Sequence, residues 1–167
     1  VEKKEGTFYT ENGTKVHVLD LPGTYSLRAR SPDEEVTRDV VLGKFSGETQ
    51  PNVIICVADA TNLHLALRLV LELKKAGQNI ILALNMMDLA TRRGYDIDMN
   101  TLSQHIGAPV IPTVAIKKKG IAELVSAVEK LSHEQKNTPI QKMNSQQWHE
   151  PNAQEIRAYH KDVECIL

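Results

Sequence analysis

Two short patterns in this chain place a carboxylate where an apolar run stops: Asp20-Leu21-Pro22-Gly23 and Asn85-Met86-Met87-Asp88. In the first, the β-prone run Val16-His17-Val18-Leu19 feeds Asp20, and the Pro-Gly pair ends it abruptly. The Asp20 carboxylate is thereby expected at the carboxyl end of a strand, the edge of an open α/β sheet at which ligands bind. From there it can reach a hydrated Mg²⁺ while the Gly23 N–H approaches a phosphate. The same four residues also suit a turn in which the Asp only caps its own loop. In the second pattern, a fixed Asp88 carboxylate can accept two hydrogen bonds from the N1–H and N2–H₂ edge of guanine, with Asn85 bracing the loop. Adenine lacks donors in those places and would leave the carboxylate unpaired. A third segment, Thr113-Val114-Ala115-Ile116-Lys117, leaves another apolar run, and the backbone amides of Val114, Ala115 and Ile116 can meet the guanine oxygen. Its plain alternative is an ordinary strand-to-loop exit.

The intervening chain supplies the elements that must hold these residues. Thr7–Thr10 and Lys15–Leu19 flank Asn12-Gly13, a turn pair with two easy positive φ angles, which predicts an antiparallel hairpin. The polar stretch from Thr24 to Arg30 reads as a loop able to move, and Ser31-Pro32-Asp33-Glu34-Glu35 starts a helix that runs to Lys44, presenting Val36, Val40 and Val41. Val53–Ala58 is continuously apolar, as in a parallel strand covered on both faces, and ends in Asp59. From Leu63, with Asn62 as cap, Ala66, Leu67, Val70, Leu73 and Ala76 keep helical spacing. Arg68, Glu72 and Lys75 are expected to turn away from the core, and Gly77 stops the helix. Strands over Ile80–Leu84 and Val110–Val114, a helix over Asn100–Ile106 and a last amphipathic helix with Ile121, Leu124, Val125, Val128 and Leu131 complete an alternating order, the sign of a parallel sheet. The polar stretch 133–150 reads as a linker. Beyond it Asn152 and Glu155 form a capping-box pattern ahead of an apolar face of Ile156, Tyr159, Val163 and Ile166.

With 167 residues, 41% hydrophobic and 25% charged, the chain suits one globular domain and a short appendage. A net charge of −1 argues against nucleic-acid binding driven by bulk electrostatics. Cys56 and Cys165 have no CxxC partner and read as small hydrophobes of a reduced protein. No stretch reaches the length of a membrane span. The chain starts without Met and stops within an apolar pattern, so both ends are expected to be cuts in a longer protein. His17 reads as a hairpin surface residue, His149, His160 and Cys165 are badly spaced for a shared metal, and Lys117-Lys118-Lys119 reads as a solvated loop.

DLPGTYSL at Asp20–Leu27, SPDEEVTRDVVL at Ser31–Leu42, VADATNLHLALRLVLEL at Val57–Leu73, ALNMMDLA at Ala83–Ala90 and GAPVIPTVA at Gly107–Ala115 closely resemble the cytosolic G domain of the bacterial ferrous iron transport family FeoB. The resemblance implies a three-layer α/β fold of the P-loop NTPase type with a mostly parallel sheet. A G domain would occupy residues 1–132, a linker 133–150 and the start of a helical domain 151–167. It further implies GTP binding and hydrolysis, with GTP/GDP and Mg²⁺ as cofactors and K⁺ as a further candidate. The partners implied are a guanine nucleotide and a membrane-embedded part of the same polypeptide, with a homo-oligomer as an open option and no nucleic acid. The segment would be soluble, at the cytoplasmic face of the inner membrane. Asp20 would hold Mg²⁺ through water, Leu21, Pro22 and Gly23 would form the switch II turn, Asn85, Met86, Met87 and Asp88 would hold the base, and Val1 and Glu2 would lie at the edge of the nucleotide site.

The pattern G-x-x-x-x-G-K-[ST], which cradles phosphates in that fold, does not occur in these 167 residues. Alone they are expected to hold the base edge weakly and the phosphates hardly at all. Met86 stands where many GTPases have a Lys along the base. Thr24 replaces a water-orienting Gln, so intrinsic hydrolysis is expected to be slow. Two rival readings share the motifs: a soluble GTPase of ribosome-assembly or tRNA-modification type, and a phosphate-site-deficient interaction module.

Overall fold

The structure, a computed structural model, describes residues 4–137 and 148–166. Its elements in chain order are β1 (Lys4–Tyr9), β2 (Lys15–Asp20), α1 (Pro32–Val41), β3 (Ile54–Asp59), α2 (Leu63–Lys75), β4 (Ile80–Asn85), α3 (Met87–Arg92), α4 (Met99–Ile106), β5 (Val110–Pro112), α5 (Ile121–Asn137) and α6 (Ala153–Ile166), with a 3₁₀ turn at Ala115–Lys117. β1 and β2 form the expected antiparallel hairpin, Lys4 lying opposite Asp20. Only Gly13 of the turn takes a positive φ, 79°, because the loop spans Thr10 to Thr14, whose N–H and carbonyl close it at 3.0 Å. Glu129 of α5 ties this turn down, accepting from the Thr10 hydroxyl at 2.8 Å, the Asn12 amide at 3.0 Å and the Thr14 hydroxyl at 3.3 Å. Those donors, Thr10 foremost, hold its carboxyl below the ordinary range.

β3, β4 and β5 form a parallel sheet in that order, with Asp59 opposite Asn85 and Leu84 opposite Pro112. β4 is buried on both faces. Ile80, Leu82 and Leu84 join Leu67, Val70 and Leu73 of α2 in the main core. Strand alternation turns Ile81 and Ala83 to the opposite face, where α5 packs on β4 and buries Val128. β3 departs from expectation. Cys56 and Ala58 face the core, but Ile55 and Val57, paired in register with Ile81 and Ala83, are 40% and 70% exposed. A continuous apolar run therefore does not mean two covered faces here: α5 covers β4 and leaves the neighbouring strand bare. Burial pushes the Cys56 thiol up to about 12, which suits its role as a small hydrophobe, whereas Cys165 is exposed.

The helices start and stop for local reasons. Ser31 accepts from the Glu34 N–H at 3.3 Å at the head of α1, and Pro32 follows where no N–H is needed. Asn62 stands at the cap of α2 but makes no side-chain cap bond; the Asp59 carboxylate instead takes the N–H and hydroxyl of Thr61, at 2.7 and 2.8 Å. Glu72 of α2 is buried, against the expectation that it turns away. α5 continues through residues 133–137, the first part of the stretch read as a linker, and residues 138–147 lie outside those described. α6 begins with a reciprocal box in which Asn152 accepts from the Glu155 N–H at 3.0 Å and Glu155 accepts from the Asn152 N–H at 2.9 Å. α6 packs on α2, and its Val163 is part of the main core.

Truncating Leu67, fully buried on α2, to Ala is expected to cost about 2–5 kcal/mol of unfolding free energy in a urea titration. Val57→Ala on the bare face is expected to stay within about 1 kcal/mol. Glu155 also receives Lys75 Nζ at 2.7 Å and faces His149 Nε2 at 3.2 Å, and its carboxyl is lowered from 4.5 to about 2, chiefly by Lys75. A depressed carboxyl stabilises above its unfolded value and loses that contribution as pH falls through the folded one. The docking of α6 is therefore expected to hold above pH 4.5 and to weaken from there toward about pH 2. Trp148, the one tryptophan of the chain, packs against the core beside this box and reports the change by fluorescence; Glu155→Gln is expected to abolish the pH dependence in that window.

Candidate functional site

Asp20 stands exposed at the end of β2, and the turn that follows is held from outside it. The Thr37 hydroxyl of α1 donates to the Pro22 carbonyl at 2.8 Å, and Leu21 packs against the core. A Cβ on Gly23 would meet nothing within 4 Å, so the backbone there is open to approach. The Thr24 hydroxyl turns inward on its own loop, donating to the Ser26 carbonyl at 2.7 Å. Further on, Leu27 is buried in the core, and its N–H donates at 2.6 Å to Glu72. Glu72 also accepts from the Ser26 hydroxyl at 2.9 Å and from Arg68 Nε at 2.9 Å. The segment after Gly23, expected to be a mobile loop, is thus fastened at Ser26 and Leu27.

A second group forms where β4 and β5 end. Asn85 Oδ1 accepts from the Ala115 N–H at 3.0 Å and lies 3.4 Å from the Thr113 hydroxyl, joining the two strand exits. The Ala115 amide is accordingly engaged by Asn85 and the Val114 N–H by the Lys119 carbonyl at 3.1 Å, against the expectation that both are offered to a guanine oxygen. Met86 takes the left-handed conformation with φ 61°, which β-branched residues resist, and turns the chain sharply into α3. Asp88 in the first turn of α3 accepts from the Leu89 N–H at 3.0 Å through Oδ1 and from Lys117 Nζ at 2.8 Å through Oδ2, with Arg92 at 3.9 Å. The Lys117 hydrogen bond is the main reason its carboxyl sits below the usual range. Ile116, beside Lys117, is 90% exposed, and Met86 is partly exposed, so an apolar side chain stands on each of the two loops. Gly120 closes the second loop at φ 80°, and a Cβ there would collide with the Pro112 carbonyl. Val114 and Lys119 bridge its base through hydrogen bonds of 3.1 and 3.3 Å.

Asn85, Thr113 and Ala115 thus form one hydrogen-bonded group and Asp88 with Lys117 a second on the same two loops, while Asp20 and Gly23 belong to the separate hairpin exit. Val1 and Glu2 lie outside the described residues. His17 is exposed on β2, and His149 is occupied with Glu155. Two residues escaped sequence reasoning. Lys117 reads as part of a solvated run, and only its place five residues after the end of β5 hints at its partner. Glu72 carries no signal, since an i,i+4 Arg-Glu pair on a helix ordinarily reads as surface.

The model of the family "Ferrous iron transport protein B" matches residues 1–128. Among curated relatives, the Fe(2+) transport protein A/Fe(2+) transporter FeoB fusion protein of Porphyromonas gingivalis is 39% identical over 140 residues, 84% of this chain and 16% of the relative. The Fe(2+) transporter FeoB of Escherichia coli is 40% identical over 134 residues, 78% of this chain and 17% of the relative. The chain therefore spans about a sixth of the length of these relatives. Among solved structures, the FeoB G-domain from Methanococcus jannaschii is 43% identical with a TM-score of 0.72, covering 79% of this chain and 81% of that one. The cytosolic domain of the T. maritima FeoB iron transporter in a GDP form is 26% identical with a TM-score of 0.80, covering 99% of this chain and 84% of that one. By its α/β fold, its motifs and these matches, the chain belongs to the ferrous iron transport protein B family, in its G-domain part.

Proposed function

We propose that this chain is the guanine-nucleotide-binding and GTP-hydrolysing part of a ferrous iron transporter, in which the nucleotide state gates or drives Fe²⁺ uptake through a membrane-embedded part of the same polypeptide. The observation that carries this reading is the joined exit of β4 and β5, where Asn85 clamps the Ala115 amide and Asp88 presents a carboxylate beside exposed Met86 and Ile116. Two parallel N–H groups of a guanine edge match that carboxylate, and apolar side chains suit the faces of a planar ring. Membership in the family supports the iron-transport context. Among the described residues no helix is long and apolar enough to cross a membrane; the place of the domain at the cytoplasmic face of one is part of the proposal.

In this reading each residue has a distinct task. Asp88 selects guanine, Asn85 fixes the loop that carries Val114, Ala115 and Ile116, and Met86 lies along the base. Asp20 faces a Mg²⁺ ion through water and Gly23 senses the γ-phosphate. The exposed Asp20 carboxylate at the end of β2 suits Mg²⁺, which keeps several waters and binds through one or two carboxylates. The ion would neutralise charge on the phosphates; K⁺ is a further candidate there. Loss of the γ-phosphate would be felt at Gly23 and passed along the segment that Glu72 fastens, an order change of the switch type. The residues up to 132 act as the G domain, and those from 151 as the start of a helical unit docked on α2.

Calorimetric titration of the natural polypeptide with GDP, GTP and ATP tests the reading. Guanine nucleotides are expected to bind at least tenfold more tightly than ATP, and Asp88→Ala is expected to weaken GDP binding by about 10- to 100-fold while leaving ATP unchanged. Equal affinity for ATP and GTP in the unaltered protein would remove the role given to Asp88.

A further inference from the structure

Between the segment that follows Gly23, α2 and α6 lies a cavity of about 380 Å³, and none of the residues given a task in nucleotide binding lines it. Its walls are cationic. Arg28 and Arg30 come from the loop, His64 and Arg68 from α2 and His160 from α6, and among the described residues Glu34 is the one carboxylate facing them. Donors remain in surplus after the local pairs are counted. Arg68 Nε holds Glu72 at 2.9 Å and its Nη2 donates to the Ser26 hydroxyl at 3.2 Å, while Arg28 Nε pairs with Glu150 at 2.7 Å. A guanidinium carries more N–H groups than these bonds use, so both arginines keep donors for a further acceptor. Glu34 is taken by the loop itself, accepting from the Arg30 backbone N–H at 2.7 Å. The Arg30 guanidinium, on an exposed residue, has no carboxylate partner among the described residues. His64 and His160 are both exposed and face each other across the helices, with ring centroids 6.3 Å apart and a tilt of 54°.

A cavity rich in N–H groups and poor in acceptors asks for a ligand made of acceptors. Its donors arrive from three separate elements, which suits the several oxygens of a tetrahedral phosphate better than the planar pair of a carboxylate. Arginine is also the side chain whose fork of N–H groups matches phosphate oxygens in pairs. Tyr25 and Leu65, 63% and 44% exposed, add apolar surface to the same wall, against which a substituent on that phosphate can lie. We propose that this cavity is a phosphate-binding site, for the free ion or a phosphate monoester of a small molecule, in which Arg30 is the principal contact and His64 and His160 donate from α2 and α6. Arg28 and Arg68 are held by Glu150 and Glu72 with donors to spare, so they add charge at fixed positions. The site stands on residues separate from the guanine-binding group, and its success or failure leaves that reading as it is.

Carbethoxylation of histidines by diethyl pyrocarbonate, followed residue by residue by mass spectrometry on the natural polypeptide, tests the site. Phenyl phosphate at about 10 mM is expected to slow modification of His64 and His160 about three- to tenfold, the protection that a millimolar dissociation constant gives. His105, exposed on α4 and outside the cavity, is expected to keep its rate. Arg30→Gln is expected to lose the protection, and Arg30→Lys to keep part of it, because the charge stays while the paired N–H geometry goes. Inorganic phosphate separates the two sources. Protection equal to that by phenyl phosphate supports a site for the free ion, and weaker protection supports a monoester whose substituent rests on Tyr25 and Leu65. Absence of protection by both compounds overturns the proposal, as does protection that survives Arg30→Gln, equal slowing at His105, or equal protection by sodium chloride at the same ionic strength.

Discussion

The buried carboxylate of Glu72 is the constraint on which the rest of the fold turns. A charge taken out of water costs several kcal/mol unless its lone pairs are filled, and here they are filled by the Leu27 N–H, the Ser26 hydroxyl and Arg68. Because the donors come from a loop and the acceptor from a core helix, satisfying the charge fixes the loop. Leu27 then enters the same apolar cluster as α2, and the turn at Pro22-Gly23 is held between this knot and the Thr37 hydroxyl. One turn further along α2, Lys75 reaches Glu155 of α6. A single helix thereby holds the Ser26–Leu27 segment on one stretch and the following helix on the next, so both are tied to it.

Much of this was legible in the sequence. The hairpin, the alternation of strands and helices, the capping box at Asn152 and Glu155 and the placing of Asn85 and Asp88 at a strand exit all follow from local chemistry that no tertiary context overrides. What escaped depended on neighbours distant in the chain. Glu72 looks like a surface acid because periodicity assigns a face but not what lands on it. Val57 looks like core because an apolar run records composition, while burial requires a covering element, and α5 lies over β4 instead. Lys117 looks like one of three equivalent lysines, since only the closed loop at Val114–Lys119 singles it out.

The two strand exits differ in how they are held. At the β4–β5 edge the side chain of Asn85 substitutes for a ladder bond, extending the sheet's order by one residue after its backbone pairing ends. At β2 no such extension is made, and the order comes from α1 and α2 through Pro22 and Leu27. The first arrangement suits a rigid recognition surface, and the second suits a segment whose tethers can be exchanged one at a time.

The outer face of the half-bare β3 carries Ile55 and Val57, the strand is paired with β4 on one edge only among the described residues, and β2 is likewise paired with β1 alone. Exposed apolar strands with a free hydrogen-bonding edge are templates for edge-to-edge pairing. Among the described residues the strand that completes the sheet's register at Asp59 and Asn85 thus offers an apolar surface and an unpaired backbone edge side by side, the two things a further strand needs in order to add to a sheet.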